Sequence, residues 1–170
     1  QQTASVVKVQ TEGKDVGPGV LGLYYDVNNS LTAESGKKGV YTLTMSDGTE
    51  KSVRIDKDSE TMPLSGAWTT ANKDGQGFSV FQETTFPVPA GFGKGQKIEL
   101  DLGNVEVMAK VTLNGKEFET LWMPPFALDV TDAVKSGDNT LKVLVTSTSQ
   151  GKPKLGDVKL RTVSRPKIPI

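Results

Sequence analysis

The sequence predicts an all-β chain, an antiparallel β-sandwich with a smaller β segment ahead of it. Three observations carry this. Apolar residues recur with period two over short runs rich in Val, Thr and Tyr, the pattern of strands that bury one face. Those runs are cut by turn residues, with 18 Gly and 9 Pro in 170 residues. No stretch holds a helical period for more than one turn. Many short strands with such punctuation fit a sandwich and not alternating βαβ units.

The elements follow in chain order. Ser5–Gln10 and Gly39–Met45 read as strands. Ser46-Asp47-Gly48-Thr49 supplies an Asp-Gly turn, and Glu50–Ile55 pairs back across it as a hairpin. Further strands are predicted at Phe78–Phe86, Gln96–Leu102, Val105–Leu113 and Thr140–Thr146. In the last, Leu141, Val143 and Val145 alternate with Lys142 and Leu144, as a half-buried strand requires. Asn114-Gly115 makes a second hairpin turn, joining Val111–Leu113 to Lys116–Phe118. The single helical piece is one turn at Val130–Val134, with Asp129 or Thr131 placed to cap it.

Composition removes whole classes of function. Twenty basic side chains balance 20 acidic ones, so the electrostatic footprint of a general nucleic-acid binder is missing. With no His, the Ser-His-Asp and Cys-His mechanisms and His-ligated zinc are excluded. With no Cys, thiolate nucleophiles, disulfides and iron–sulfur clusters go too. No apolar run approaches the ~20 residues of a membrane helix, so neither nucleic acid nor membrane is an expected partner. The chain opens on Gln1-Gln2-Thr3 with no apolar leader, which fits a processed start or a piece of a longer chain.

The polar run Asp56–Thr61, with Pro63 behind it, reads as an exposed crossing between two parts. Residues 1–61 then form an N-terminal β segment, either the end of a preceding sandwich or strands packed on the main one. Their apolar residues, Val6, Val9, Leu21, Leu23, Leu43 and Ile55 among them, argue against a floppy tail. Residues 62–170 hold the main sandwich.

In that second part a series of motifs stands in order. Leu64-Ser65-Gly66-Ala67-Trp68 is followed by Phe86-Pro87-Val88-Pro89, then by Leu100-Asp101-Leu102-Gly103-Asn104-Val105. Next come Ala109–Lys116, Leu121-Trp122-Met123-Pro124-Pro125-Phe126-Ala127-Leu128-Asp129-Val130-Thr131, and Lys135–Val143. The series resembles the galactose-binding-like jelly-roll domain attached to glycoside hydrolases. It is similar to the C-terminal sandwich of family 106 α-L-rhamnosidases and to the sugar-binding domain of family 2 enzymes, over roughly Leu64 to Leu160. It departs at Thr146–Lys152, which has no aromatic residue and no Arg, and around Phe81–Thr84, where a small residue and a Tyr are missing. The resemblance implies a non-catalytic carbohydrate-binding or accessory domain of a secreted, periplasmic or cell-surface glycoside hydrolase-like protein. Its implied partners are a glycan and a catalytic domain of the same polypeptide. The alternative is a structural or protein-interaction sandwich with no sugar affinity.

Sugar recognition needs an aromatic face for the ring's C–H side and amides or carboxylates for its hydroxyls. The candidates are Trp122 with Asn114, Glu119 and Asp129, which share one hairpin-to-loop stretch. Three of them also have an architectural reading: Asn114 in a turn, Asp129 at a cap, Trp122 plugging the sandwich end. Trp68 reads as core. Tyr24-Tyr25 beside Asn28-Asn29 offers a second patch, with one of the two tyrosines buried because neighbours on a strand face opposite sides. No carboxylate pair stands out for glycoside hydrolysis, and the family's catalytic barrel does not fit in 170 residues, so no enzyme is expected.

Asn72–Glu83 nearly matches the spacing of an EF-hand loop, but Asn72 and Gln76 stand at acidic positions and strand-like Phe78–Phe81 replaces the exit helix. A polar hairpin loop is the better reading. A structural calcium elsewhere in the sandwich stays open with no ligand set to name, and no other cofactor is expected.

Overall fold

The computed structural model describes residues 4–17, 19–73, 76–105, 108–146 and 155–168. They divide into two compact units, one of residues 1–60 with 163–170 and one of residues 61–162. The sequence reading gave all of 62–170 to the sandwich. The chain instead leaves it at Val163, because Ile168 finds its apolar partners in the first unit's core.

The first unit contains β1 (Val6–Thr11), β2 (Lys14–Asp15), β3 (Gly22–Tyr25), β4 (Leu31–Glu34), β5 (Gly39–Met45) and β6 (Glu50–Ile55). Four of these form a sheet in the order β2-β1-β5-β6, and β3 pairs with β4. Alternation decides the inner face: Tyr41, Leu43 and Met45 are buried with Val53 and Ile55, opposite Leu31 and Ala33. The predicted Asp47-Gly48 turn is present, with Thr44 opposite Glu50 and Met45 N–H donating to the Thr49 carbonyl at 2.8 Å. The chain's last described residues add the Thr32–Lys167 and Ser35–Ser164 bridges and bring in Ile168, which is 2% exposed.

The second unit is the sandwich. It comprises β7 (Thr61–Pro63), β8 (Trp68–Lys73), β9 (Gln76–Val88), β10 (Lys97–Asp101), β11 (Met108–Leu113), β12 (Lys116–Glu117), β13 (Ala127–Asp129), β14 (Gly137–Thr146) and β15 (Lys159–Val163). One sheet has the order β12-β11-β14-β9-β8, antiparallel throughout, and the other β13-β10-β15-β7, in which β13–β10 and β15–β7 are antiparallel. Ile98, Leu100 and Leu160 from one sheet meet Val111, Leu141, Val143 and Val145 from the other in a single core. Each such fully buried side chain contributes roughly 1.5–3 kcal/mol relative to exposure. Trp68 packs against this core, as its sequence context suggests.

No helix occurs among the described residues. Val130–Val134 is one tight turn, in which the Val130 carbonyl accepts from Ala133 N–H at 2.9 Å and Val134 N–H at 3.1 Å. The Val105–Leu113 strand is shorter than predicted. It starts at Met108, and Leu102–Val105 is irregular chain with Leu102 and Val105 still buried. Lys73 lies opposite Gln76 across the β8–β9 hairpin, so strand stands where an EF-hand helix would begin; Asp74 and Gly75 lie outside the described residues. So do Ser147–Lys152 of the departing stretch.

Candidate functional site

Asn114, Glu119 and Trp122 lie along the β12 edge of the five-stranded sheet, whereas Asp129 ends β13 at the edge of the other sheet. Asn114 sits just past Leu113 in the β11–β12 turn with a φ of 51°, a left-handed conformation that Asn tolerates better than most residues. Its amide is fully engaged. Nδ2 donates to the Ala133 carbonyl at 2.8 Å and to Asn139 Oδ1 at 2.7 Å, while Oδ1 accepts from Thr140 N–H at 2.9 Å. Asn139, with no exposed surface, donates in turn to the Lys135 and Gly137 carbonyls and accepts from Lys135 N–H. This amide pair ties the β11–β12 turn and the β13–β14 connection to the start of β14.

Asp129 lies at the same end. Its Oδ1 accepts from both the backbone N–H and the hydroxyl of Thr131, which caps the Val130–Val134 turn. The Thr131 hydroxyl oxygen accepts from Ile98 N–H at 3.0 Å. Asn114 and Asp129 thus each hold one of the fold's own turns, with the Asp129 side chain exposed.

Trp122 is at the other end. After β12 the chain runs on beside β11, with Leu121 and Ala109 exchanging hydrogen bonds of 2.8 and 3.0 Å. Residue 122 is thus level with Met108 at the start of β11, six residues back from Asn114, a separation of about 20 Å at ~3.3 Å per residue. From there the chain crosses to the second sheet, where Leu102 N–H donates to the Phe126 carbonyl at 2.9 Å. Trp122 does not plug the sandwich. It is 64% exposed and Met123 is 74% exposed, because Leu121 and Phe126 on either side supply the buried contacts. Glu119 is exposed midway along the edge, between Phe118 and Leu121. The structure does not gather Asn114, Glu119, Trp122 and Asp129 into one cluster.

Two polar features escaped the sequence reading. On the outer side of β10 and β15, Arg161 holds Glu99 at 2.9 Å and Asp101 at 3.1 Å, with Lys97 3.7 Å from Glu99 and Lys159 3.9 Å from Asp101. The hydrogen bond that Arg161 donates to Glu99, more than the surrounding charge, raises its guanidinium above its already high range. Glu99 and Asp101, two residues apart on β10, lie on a sheet face and are clamped by cations. Alternation at positions 97, 99 and 101 and at 159 and 161 was the available signal. On the outer side of the five-stranded sheet, Lys142 Nζ lies 4.4 Å from the centre of the Phe81 ring, and Lys110 lies 4.0 Å from Glu117. No group of three or more acidic residues that could hold a metal ion occurs among the described residues.

Comparison with known proteins gives a consistent picture. Residues 79–162 match the family described as the glycosyl hydrolase 2 galactose-binding domain-like. A Formosa agariphila protein provisionally named a beta-glucuronidase is 61% identical over 51 residues, 30% of this chain and 4% of that protein. A rhamnosidase from Novosphingobium sp. PP1Y superposes with a TM-score of 0.52 at 16% identity, over 91% of this chain and 25% of its own. A beta-D-glucuronidase from Dictyoglomus thermophilum gives a TM-score of 0.51 at 16% identity, over 62% and 28%. The chain thus spans 4% of the curated relative and 25–28% of the two solved structures.

Proposed function

We propose, because residues 79–162 match the family described as the glycosyl hydrolase 2 galactose-binding domain-like, that this chain is a non-catalytic accessory part of a longer glycoside hydrolase, a β-glucuronide- or rhamnoside-cleaving enzyme. In it the sandwich braces a neighbouring domain through the Trp122–Met123 loop. The observation that carries the reading is the state of the polar candidates. Asn114 and Asp129 each hold a turn, whereas Trp122 and Met123 are exposed on a segment anchored at both ends. An exposed aromatic–Met pair of that kind suits a protein contact.

A second reading follows from the same indole. With a face open to solvent, Trp122 could stack a sugar ring, with Glu119 accepting from its hydroxyls.

The test has two arms. The purified chain is assayed on aryl β-D-glucuronides and aryl α-L-rhamnosides, and no turnover is expected. Turnover abolished by a single carboxylate substitution would overturn the accessory reading. In the longer hydrolase, Trp122→Ser with Met123→Ser should lower the unfolding temperature while leaving that of the isolated chain unchanged. Equal effects in both would remove the bracing role.

A further inference from the structure

The larger sheet of the first unit ends at β6, and this edge differs from the others. Among the described residues β6 pairs with β5 alone, its register is unbroken over Glu50–Ile55, and it holds neither Pro nor a bulge. Proteins ordinarily blunt a sheet edge by keeping it short, bulged or Pro-bearing. The other edges follow that rule. β2 and β12 are two residues long, β13 and β7 three with Pro63 closing β7, and the six residues of β8 shift register between Asn72 and Lys73. β3 has four residues in a two-stranded sheet, and its Tyr24 and Tyr25 are both exposed, at 39% and 43%, contrary to the expectation that one is buried.

The hairpin turn fixes which way the β6 backbone faces. Met45 N–H donates to the Thr49 carbonyl at 2.8 Å, so residues 45 and 49 form a hydrogen-bonded pair. Hydrogen-bonded and non-hydrogen-bonded pairs alternate along an antiparallel ladder. Lys51, Val53 and Ile55, opposite Leu43, Tyr41 and Gly39, therefore bond to β5. Glu50, Ser52 and Arg54 turn their N–H and C=O groups to the open side. Their side chains share the exposed face, whereas Val53 and Ile55 are buried on the other.

Charge selects the strand that fits this edge. Glu50 and Arg54 flank Ser52 at equal distance. A second β6 running antiparallel about Ser52 therefore sets Glu50 opposite Arg54 of the second copy, and Arg54 opposite Glu50 of the second copy. Outward residues then face outward residues, and three pairs exchanging two backbone bonds each make six. Opposite charges directly across such a pair stabilise it, and like charges oppose it. Sliding the copies by two residues one way sets Glu50 against Asp56, and the other way sets Arg54 against Gly48 in the turn. Arg54 already lies 3.7 Å from Asp56, but both side chains are about three-quarters exposed, and an ion pair of that kind contributes little. We propose that β6 is a self-association edge. Two copies of this chain pair β6 to β6 about a twofold axis at Ser52, joining two four-stranded sheets into one of eight. The inference stands on the first unit alone and does not require the accessory reading of the sandwich.

The test is sedimentation equilibrium of the full chain from about 10 µM to about 1 mM. One strand per copy is a small contact beside the roughly 1,200–2,000 Å² of stable interfaces, so a dissociation constant on the order of 100 µM is expected. Glu50→Arg alone or Arg54→Glu alone sets like charges face to face and should weaken association by about tenfold or more. The two together exchange the charges and should restore it to within about threefold. An equimolar mixture of the single variants should also associate, since each copy offers the charge the other lacks. In hydrogen exchange the Ser52 amide should become protected as concentration rises, while the Val53 amide, already bonded to β5, is protected throughout. A chain that stays monomeric at about 1 mM overturns the inference. Association that neither single variant weakens also overturns it, and loss on Trp122→Ser would move the contact to the Trp122–Met123 loop. Association weakened by each single variant and not restored by the two together overturns the antiparallel register and the proposal with it.

Discussion

Replacing Asn114 by alanine removes two donated hydrogen bonds and one accepted one, and leaves a β-carbon at a φ of 51°. At a net of about 1 kcal/mol per hydrogen bond, the lost contacts sum to about 3 kcal/mol. Holding alanine in the left-handed region costs about 1 kcal/mol more. Asn114→Ala should therefore destabilise the sandwich by about 4 kcal/mol. Asn114→Gly, which keeps the backbone freedom, should cost about 3 kcal/mol. The assay is urea unfolding followed by tryptophan fluorescence, because both tryptophans, Trp68 and Trp122, lie in the second unit and report on it alone. The m-value should be unchanged, since the surface exposed on unfolding is the same. A loss below about 1 kcal/mol would refute the reasoning. It would mean that water replaces the amide freely, and Asn114 would return as a candidate ligand residue.

Two further outcomes follow. Gly66→Ala should cost about 1–3 kcal/mol by overpacking: a β-carbon there would stand 2.3 Å from the Thr85 carbonyl oxygen and 2.6 Å from Thr84 Oγ1, and a tryptophan-monitored midpoint equal to the parent's would contradict it. The Asp47 carboxyl carbon should titrate with its midpoint below 3.8, and Thr49→Ala should bring it back up, since the Thr49 hydroxyl is the chief cause of the lowering. Because its folded pKa is the lower one, Asp47 supports the first unit above the ordinary aspartate value and loses that support as pH falls through the folded one.

Much of this fold was legible because its signals are local. Alternation at 141, 143 and 145 puts Leu141, Val143 and Val145 on one face wherever the strand pairs, and all three are buried. Asp47-Gly48 and Asn114-Gly115 mark hairpins by backbone chemistry alone. The candidate site failed where the signal is not local. Asn114 and Trp122 are eight positions apart in sequence, close enough to look like neighbours, but the strand between them carries one back to the opposite end of the sheet. Nothing near Asn139 announces that it completes a buried amide pair with a residue 25 positions earlier. The sugar candidates on Asn114 and Asp129 were read from side-chain chemistry. That chemistry is equally what a turn needs, and only the partners decide between the two uses.

The first unit is discontinuous in sequence, and that sets an order of events during synthesis. Its strands leave the ribosome early, but Ile168 and the Ser35–Ser164 and Thr32–Lys167 bridges become available only after residues 61–162, a stretch of 102, have been added. At ~5–20 residues per second the wait is about 5–20 s. Throughout it Leu31 and Ala33 lack their closing partner, and the strand edges that the chain's last residues will cover stand open to other chains. A nascent chain stalled after residue 162 would therefore expose an unfinished sheet beside a sandwich whose own strands are all present. Aggregation would begin in the first unit, whose sheet closes last.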